Sequence, residues 1–451
     1  MAVPQKILIV GGGVFGLSTA LSLSQRHPTC QITLLEQSAT IPNPHGSSVD
    51  SSRIVRADYS HPVYAKLAAA AIDRWRNTEW GTEGRYTQNG LLLVYTPGND
   101  KAKDYATKSY QNVKGLESDS VQLLPSAADV MKIVPEYGRE LNVAGGYINW
   151  GSGWADAEAG VRFAKKKLDE AGKVAFKTGE VDRLLYAEVQ QADDSSHRRV
   201  TGVILTDGTT LTADLVVLAT GAWTGKLVDL RGRAISTGQA LAYLRISDDE
   251  QRQLENLPTI LNFANGIFII PPRNNLLKIA RHAYGYHNPK AVPVPGGNGS
   301  GSGSETNAAT MHVSLPEDGV PVPPEGQEAL RTALHELLPS FTDREFVKTR
   351  VCWYTDTPTG DFIIDHHPNH PGLFLATGGS GHGYKFFPVL GDKIVDALEG
   401  NLEPELRELW RWRDAVGPAA FEGDGSRSGA QGLLLMEELA KGRKALRKSV
   451  L

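Results

Sequence analysis

The segment that decides the fold is residues 6–36, KILIVGGGVFGLSTALSLSQRHPTCQITLLE. It opens on Ile7-Leu8-Ile9-Val10, a short apolar run rich in β-branched residues and closed by glycine, which reads as a buried parallel strand. Gly11, Gly13 and Gly16 follow in G-x-G-x-x-G spacing. Gly11 permits the tight turn, Gly13 lets a backbone approach a pyrophosphate, and Gly16 lets the next helix pack close to the strand. Residues 17–26 have helical spacing, so the partial positive charge of a helix N-terminus faces the phosphates. A second strand, residues 31–35, ends at Glu36, whose carboxylate can accept hydrogen bonds from both ribose hydroxyls. Strand, glycine turn, helix, strand and terminal acid in this order point to a dinucleotide site. An acid rather than Arg at position 36 argues against NADP and does not separate NAD from FAD.

Outside this segment the chain has the composition of a globular protein. Of its 451 residues 41% are apolar and 22% charged, and the length suits two domains or one large domain with an inserted lobe. A net charge of −4 offers no basic surface for nucleic acid. No apolar run approaches ~18 residues, so no membrane-spanning helix is expected. The chain enters its first strand almost at once, which argues against a cleaved leader. Two cysteines, Cys30 and Cys352, do not suggest a disulfide and cannot form a thiolate metal cluster.

A loop of turn formers, residues 37–52, leads to Arg53 and Arg56, which share a face if they stand on a helical turn. A helix is expected over 58–77, a strand over 90–95, and a peripheral polar helical stretch over 99–128. Residues 145–159 read as strand and turn entering a helix over 157–171, with Asp156 as N-cap. A strand over 174–177, an antiparallel pair over 179–186 and 200–206, and an Asp207-Gly208 turn follow. A buried strand over 211–219 then ends in Thr220-Gly221-Ala222. This return to a small-residue turn suits a flavoprotein better than an NAD dehydrogenase, which continues βαβ. Short alternating strands over 240–246, 259–262, 266–270 and 276–280 predict an antiparallel sheet on the substrate side. Residues 293–305 are low-complexity and 325–338 helical. A strand over 373–377 runs into GGSGHG (378–383), whose backbone N–H groups can bind an anion or carbonyl, then a helix over 388–398. The chain closes in a polar helical tail, 432–451.

The dinucleotide motif, the Arg53/Arg56 pair, the segment 350–365 with its Cys352-Trp353-Tyr354 and FIID, and SGHGYK (380–385) together resemble the monomeric sarcosine oxidase family. Within it the chain is similar to the fungal branch of fructosyl amino acid oxidases (amadoriases) and saccharopine or pipecolate oxidases. The resemblance spans roughly residues 6–413. It implies an α/β (α+β overall) architecture of the D-amino acid oxidase and sarcosine oxidase type: a Rossmann-type FAD domain (1–60, 145–230, 350–413), an antiparallel-sheet substrate domain (61–144, 231–349) and a helical tail (414–451). It implies FAD joined covalently to a cysteine, oxidation of the C–N bond of a secondary, N-substituted amino acid to an imine, and molecular oxygen as electron acceptor, with hydrogen peroxide as product.

By the same resemblance, Cys352 matches the flavin-bearing cysteine and Lys278 the lysine that promotes oxygen reduction. Arg53 matches a cation over the flavin and His282 a histidine beside the substrate. Arg56 and Lys385 match the cations that hold the substrate carboxylate, Tyr354 lines the pocket, and Arg413 matches a C-terminal substrate-binding arginine. The cofactor is expected against Gly11, Gly13, Val14, Phe15, Gly16, Glu36, Ser52, Arg53, Val181, Thr220, Gly221, Gly381, His382, Gly383 and Lys385. The loop HGSSVDSSRIVR lacks the amadoriase pattern AG-x-D-x-NKI, and no counterpart to the sugar-binding acid is evident. N-alkyl amino acids therefore rank first and fructosyl amino acids second. A quinone- or protein-linked dehydrogenase and a non-catalytic flavoprotein module are the other readings. The family implies a monomer. Ser449-Val450-Leu451 faintly resembles the S-K-L peroxisomal signal, so the compartment expected is cytoplasm or peroxisome.

Overall fold

A computed structural model describes residues 2–137, 141–189, 197–296, 309–417 and 421–449. Most of the low-complexity loop and the last two residues lie outside these, and with them the targeting reading of the terminus.

The opening segment forms the centre of a six-stranded sheet. Lys6–Val10 pairs in parallel with Gln31–Glu36 on one side and Leu215–Leu218 on the other. Val174–Thr178 and Leu373–Thr377 extend the parallel set, and Ile363–His366 closes one edge antiparallel. Chain order reverses on either side of Lys6–Val10, which makes the crevice at its C-terminal end the place where such sheets bind ligands. The helix Val14–Arg26 begins earlier than its apolar spacing suggests, with Gly13 as N-cap. A Cβ on Gly16 would collide with the Gly11 carbonyl, and one on Gly391 with the Ser18 carbonyl. These glycines let this helix lie close against both its own strand and the helix Phe387–Glu399.

The strand expected over 211–219 is two strands. Thr210–Thr212 pairs antiparallel with His197–Leu205, and Leu215–Leu218 enters the parallel sheet. The crossing is made at Asp214, whose N–H donates to the Lys6 carbonyl at 2.9 Å and whose carboxylate accepts from the Lys6 N–H at 3.0 Å.

The second sheet has ten strands. Its centre is Ile235–Arg245, flanked by Leu276–Arg281 and Lys348–Asp356, both antiparallel. Ile267–Arg273 and Thr259–Asn262 continue it as expected, and it then recruits Leu91–Tyr95, through a parallel pairing, and Gly145–Asn149. Period-2 alternation gives this sheet two unlike faces. Ala240, Ala242, Leu277, Ile279, Val351 and Trp353 pack with the helix Pro324–Leu337. Leu241, Tyr243, Ala280, Cys352 and Tyr354 form a separate small cluster on the other face.

Three local expectations are corrected. Arg53–Val55 is a strand paired with Gly153–Ala155, so Arg53 and Arg56 do not share a helical face. The following helix starts at Pro62 with His61 as N-cap, because Pro62 fits the first turn, where no N–H is needed. The 99–128 stretch includes Asp100–Leu116 and the strand Val121–Leu124, and it is not peripheral: Tyr105 is 2% exposed in the main core. Among the described residues no helix is long and apolar enough to cross a membrane.

Candidate active site

At the C-terminal end of Lys6–Val10 lies a cavity of about 1320 Å³, including the solvent at its mouth. Gly11, Gly13, Val14, Phe15, Glu36, Arg53, Val181, Thr220, Gly221, Gly381 and Gly383 line it, as does Tyr354. Gly11 has φ +108°, and a Cβ there would strike the Ala219 carbonyl, so only glycine makes this turn. Glu36 Oε2 accepts from the Gly12 N–H at 2.7 Å, and Oε1 accepts from Ser38 N–H at 3.0 Å and Asn43 Nδ2 at 2.8 Å. The acid thus braces the glycine turn and the loop beyond it while standing at the cavity wall. Glycine cradle, strand-end acid and helix N-terminus fit the pyrophosphate and ribose of FAD. Gly16 lies behind this wall.

Beneath the cavity sits Asp50, buried, with its side chain fully inaccessible. Its carboxylate accepts from Lys278 Nζ at 2.7 Å, from Arg53 and from the Tyr243 hydroxyl. Burial alone would raise its pKa; Lys278 and Arg53 outweigh burial and hold it well below the usual carboxylate range. Lys278, 3% exposed, also donates to the Ser52 carbonyl at 2.9 Å, and burial pushes it down to about 8 despite Asp50. Against burial, Asp50 raises Arg53 above its ordinary value. The Arg53 guanidinium donates to Cys352 Sγ at 3.5 Å. Cys352 shares its side of the strand with Arg350, which grips the Gly46 and Val49 carbonyls, and with Tyr354 on the cavity wall. Cys30 has no such neighbourhood and packs into the core.

A second pocket of about 650 Å³ adjoins the first, with Arg53, Tyr354, Gly381 and Tyr384 common to both. It holds Arg56, Lys385, His282 and His382. Arg56 lies 4.7 Å over the Tyr59 ring, donates from Nη2 to Tyr105 at 3.4 Å, and its buried Nη1 has no hydrogen-bond partner among the described residues. Burial opposes its charge, but Tyr105, Tyr59 and Asp58 raise it above its ordinary value. Lys385 donates to the Tyr59 hydroxyl at 2.8 Å and to the His382 carbonyl at 2.9 Å, and burial followed by Arg56 pushes it far down. His382 Nε2 faces the Gly360 carbonyl at 2.8 Å, so it carries the proton, and Nδ1 accepts from Tyr59 at 2.9 Å. The bonds run one way, from Lys385 to Tyr59 to His382 to Gly360. Burial first, then Lys385, lowers His382 to about 3, and burial first, then Arg427, lowers His282 well below its usual value, so both rings are neutral. His282 contacts the Ser426 hydroxyl at 3.1 Å.

The structure therefore sets Arg53 on the wall of the nucleotide cavity, with Cys352 against its guanidinium and Lys278 behind it on the shared Asp50, neither of them lining the cavity, and gathers Arg56, Lys385, His282 and Tyr354 around the adjoining pocket. Ser52 lies outside the cavity lining and serves through its carbonyl. Arg413 is not brought in: it donates to the Glu408 carbonyl at 2.8 Å and the Leu409 carbonyl at 3.3 Å. Asp50, Tyr59 and Asp424 were missed. A carboxylate three residues before Arg53 was a usable signal for Asp50. Asp424, in a glycine- and serine-rich stretch of the tail, gave none.

A nucleotide crevice opening on to a buried cationic pocket defines a flavin-dependent oxidoreductase. The chain belongs to the DAO family of FAD dependent oxidoreductases, whose model matches residues 6–397. It is 33% identical to the amino acid oxidase imqH of Aspergillus flavus, over 91% of this chain and 98% of that protein. It is 28% identical to the L-saccharopine oxidase of Schizosaccharomyces pombe, over 90% and 93% of the two chains. Among solved structures, a modified fructosyl peptide oxidase from Aspergillus nidulans superposes with a TM-score of 0.82 at 28% identity, over 96% of this chain and 98% of the other.

Asp50→Asn removes the one anion between two buried cations and is expected to cost about 3–5 kcal/mol of stability at neutral pH. Because the folded-state pKa of Asp50 lies below the unfolded one, its contribution is complete above about pH 5 and is lost as pH falls into strong acid. Denaturant midpoints of both proteins across this range check it: the gap between them must narrow on acidification.

Proposed function

We propose that this FAD-dependent enzyme is an oxidase of the C–N bond of secondary amino acids, converting an N-substituted amino acid and oxygen to an imine and hydrogen peroxide. The observation that carries this reading is the pairing of Arg56 and Lys385, two buried basic side chains from distant parts of the chain, in a pocket beside the cofactor cavity, with no carboxylate in contact with either among the described residues. An α-carboxylate supplies the missing anion. Arg56 can bind it through its free Nη1, and Lys385 as a point charge.

When bound, FAD supplies the two-electron acceptor and the route to oxygen. The chain's residues position and tune. Arg56 and Lys385 hold the substrate by its carboxylate and so fix the amine-bearing carbon toward the cavity. Tyr59, fixed between Lys385 and His382, sets the direction of the Lys385 ammonium. His282 and Tyr354 wall the space left for the substrate. Lys278 stabilises negative charge that develops on oxygen as it is reduced. Arg53 stands against the nucleotide cavity and faces Cys352, which is the residue that joins the flavin. The protein acts as a monomer in cytoplasm or peroxisome; relatives named peroxisomal sarcosine oxidase, from Mus musculus and Homo sapiens, are 26% identical.

A fructosyl amino acid is the alternative substrate, supported by the superposition on a fructosyl peptide oxidase. An amine oxidase of a natural-product pathway is the other. Anaerobic bleaching of the bound flavin by a panel of N-alkyl, pipecolate-like, saccharopine-like and fructosyl amino acids ranks them. Peroxide formed per substrate consumed separates an oxidase from a quinone- or protein-linked dehydrogenase.

Acid-precipitated protein is expected to stay yellow, and Cys352→Ser to release its FAD to the supernatant; release from wild type would remove Cys352 from this role. Lys278→Met is expected to slow reoxidation by oxygen ~10²-fold or more, with a smaller effect on flavin reduction. Since Lys278 titrates near 8, wild-type reoxidation should slow as pH rises through that value, and the methionine variant should lack this dependence. Arg56→Ala is expected to weaken carboxylate substrates by roughly 2–5 kcal/mol. The matching decarboxylated amine should be a poor substrate whose oxidation barely responds to the change, as steady-state kinetics with both compounds will read.

A further inference from the structure

The substrate pocket has a further polar wall. Asp424 and His382 line both this pocket and a further cavity of about 900 Å³, whose walls include Thr237, His287 and Gln431. Asp424 Oδ1 is occupied, accepting from the Ser426 N–H at 3.0 Å and from the Ser426 hydroxyl. Oδ2 accepts no hydrogen bond among the described residues. Burial opposes its charge, but His382, the Ser426 bonds and Arg427 hold its carboxyl below the usual range, so it is an anion.

The charges around the pocket show what is left over. Arg53 and Lys278 are paired with Asp50, and Arg427 is paired with Asp356 while donating to the Ser380 carbonyl at 3.0 Å. Among the described residues, neither Arg56 nor Lys385 forms an ion pair with a carboxylate and Asp424 forms none with a cation, although the charge of Asp58 acts on Arg56 and Lys385 and that of Asp424 on Lys385. Two basic side chains and one carboxylate that form no ion pair with protein groups face the same pocket, and together they match a ligand that carries a carboxylate and, some bonds away, a cation or strong hydrogen-bond donor.

We propose that Asp424 selects substrates whose N-substituent bears a hydrogen-bond donor, an ammonium above all, and that the cavity beyond it receives the rest of that substituent. This rests on the carboxylate-holding role of Arg56 and Lys385. A donor placed at Asp424 gives Oδ2 its missing partner, whereas a second carboxylate there meets a like charge. The site therefore discriminates by sign of charge as well as by size.

The test uses the holoenzyme and Asp424→Asn. Asparagine keeps a side-chain oxygen for the Ser426 N–H, so the local turn survives, while charge is lost and a donor replaces Oδ2. Flavin absorbance confirms that the variant is loaded. Rates of flavin reduction are compared for N-methyl, N-(aminoalkyl) and N-(carboxyalkyl) forms of one amino acid. In wild type, kcat/KM is expected to fall in the order aminoalkyl, methyl, carboxyalkyl. In the variant the aminoalkyl-to-methyl ratio should drop roughly 10- to 100-fold, the worth of a hydrogen bond to a charged group, and the carboxyalkyl-to-methyl ratio should rise. A variant that lowers all three alike, or leaves the ratios where they were, overturns the proposal. If wild type reduces its flavin with none of the three, the secondary amino acid reading itself is wrong, and the role of Asp424 falls with it.

Discussion

One buried carboxylate ties the two halves of this site together. Asp50 stands at the end of the loop that leaves the dinucleotide strand, yet its partners Lys278 and Tyr243 belong to the antiparallel sheet and Arg53 to a third, smaller one. Three elements distant in sequence are brought together by one anion that cannot be left unpaired, because an ionised group without partners in such a place costs several kcal/mol. The position of the cavity floor, of the Lys278 ammonium and of the Cys352 sulfur follows from it.

The antiparallel sheet supplies the complementary constraint. Its strands alternate, so one face carries aliphatic side chains under the helix Pro324–Leu337 and the other carries Lys278 and Cys352 toward Asp50 and Arg53 and Tyr354 on to the cavity wall. A lysine between apolar neighbours on such a strand would ordinarily face solvent. Here both faces are covered, and the lysine is retained as a cation by the carboxylate set against it.

The substrate pocket is organised by imbalance. Arg53, Lys278 and Arg427 are paired with carboxylates, whereas Arg56, Lys385 and Asp424, which line the pocket, form no ion pair among the described residues. The Lys385–Tyr59–His382–Gly360 series of hydrogen bonds has a fixed polarity because the Gly360 carbonyl can only accept, and it holds Lys385 in place.

The nucleotide half of the molecule was legible from residues 6–36 because its determinants are local: period, glycine spacing and a strand-end acid lie within one βαβ unit. The antiparallel strands over 240–280 were legible for the same reason. Where expectation failed, a tertiary contact decided. Arg53 and Arg56 have helical spacing, but Arg53–Val55 is a strand because Gly153–Ala155 is there to pair with it, and Arg56 follows its end. The single strand expected over 211–219 breaks at Asp214 because two different sheets claim its ends. The stretch 99–128 was read as peripheral from its polarity, yet its helix turns Tyr105 inward to Arg56. Residue types and spacings by themselves determined the fold class and most of the cationic groups. Which of those cations are paired, Arg53 and Lys278 with Asp50, and which form no ion pair, Arg56 and Lys385, was decided only by the tertiary structure, since pairing of charges far apart in the chain depends on distances that no local pattern records.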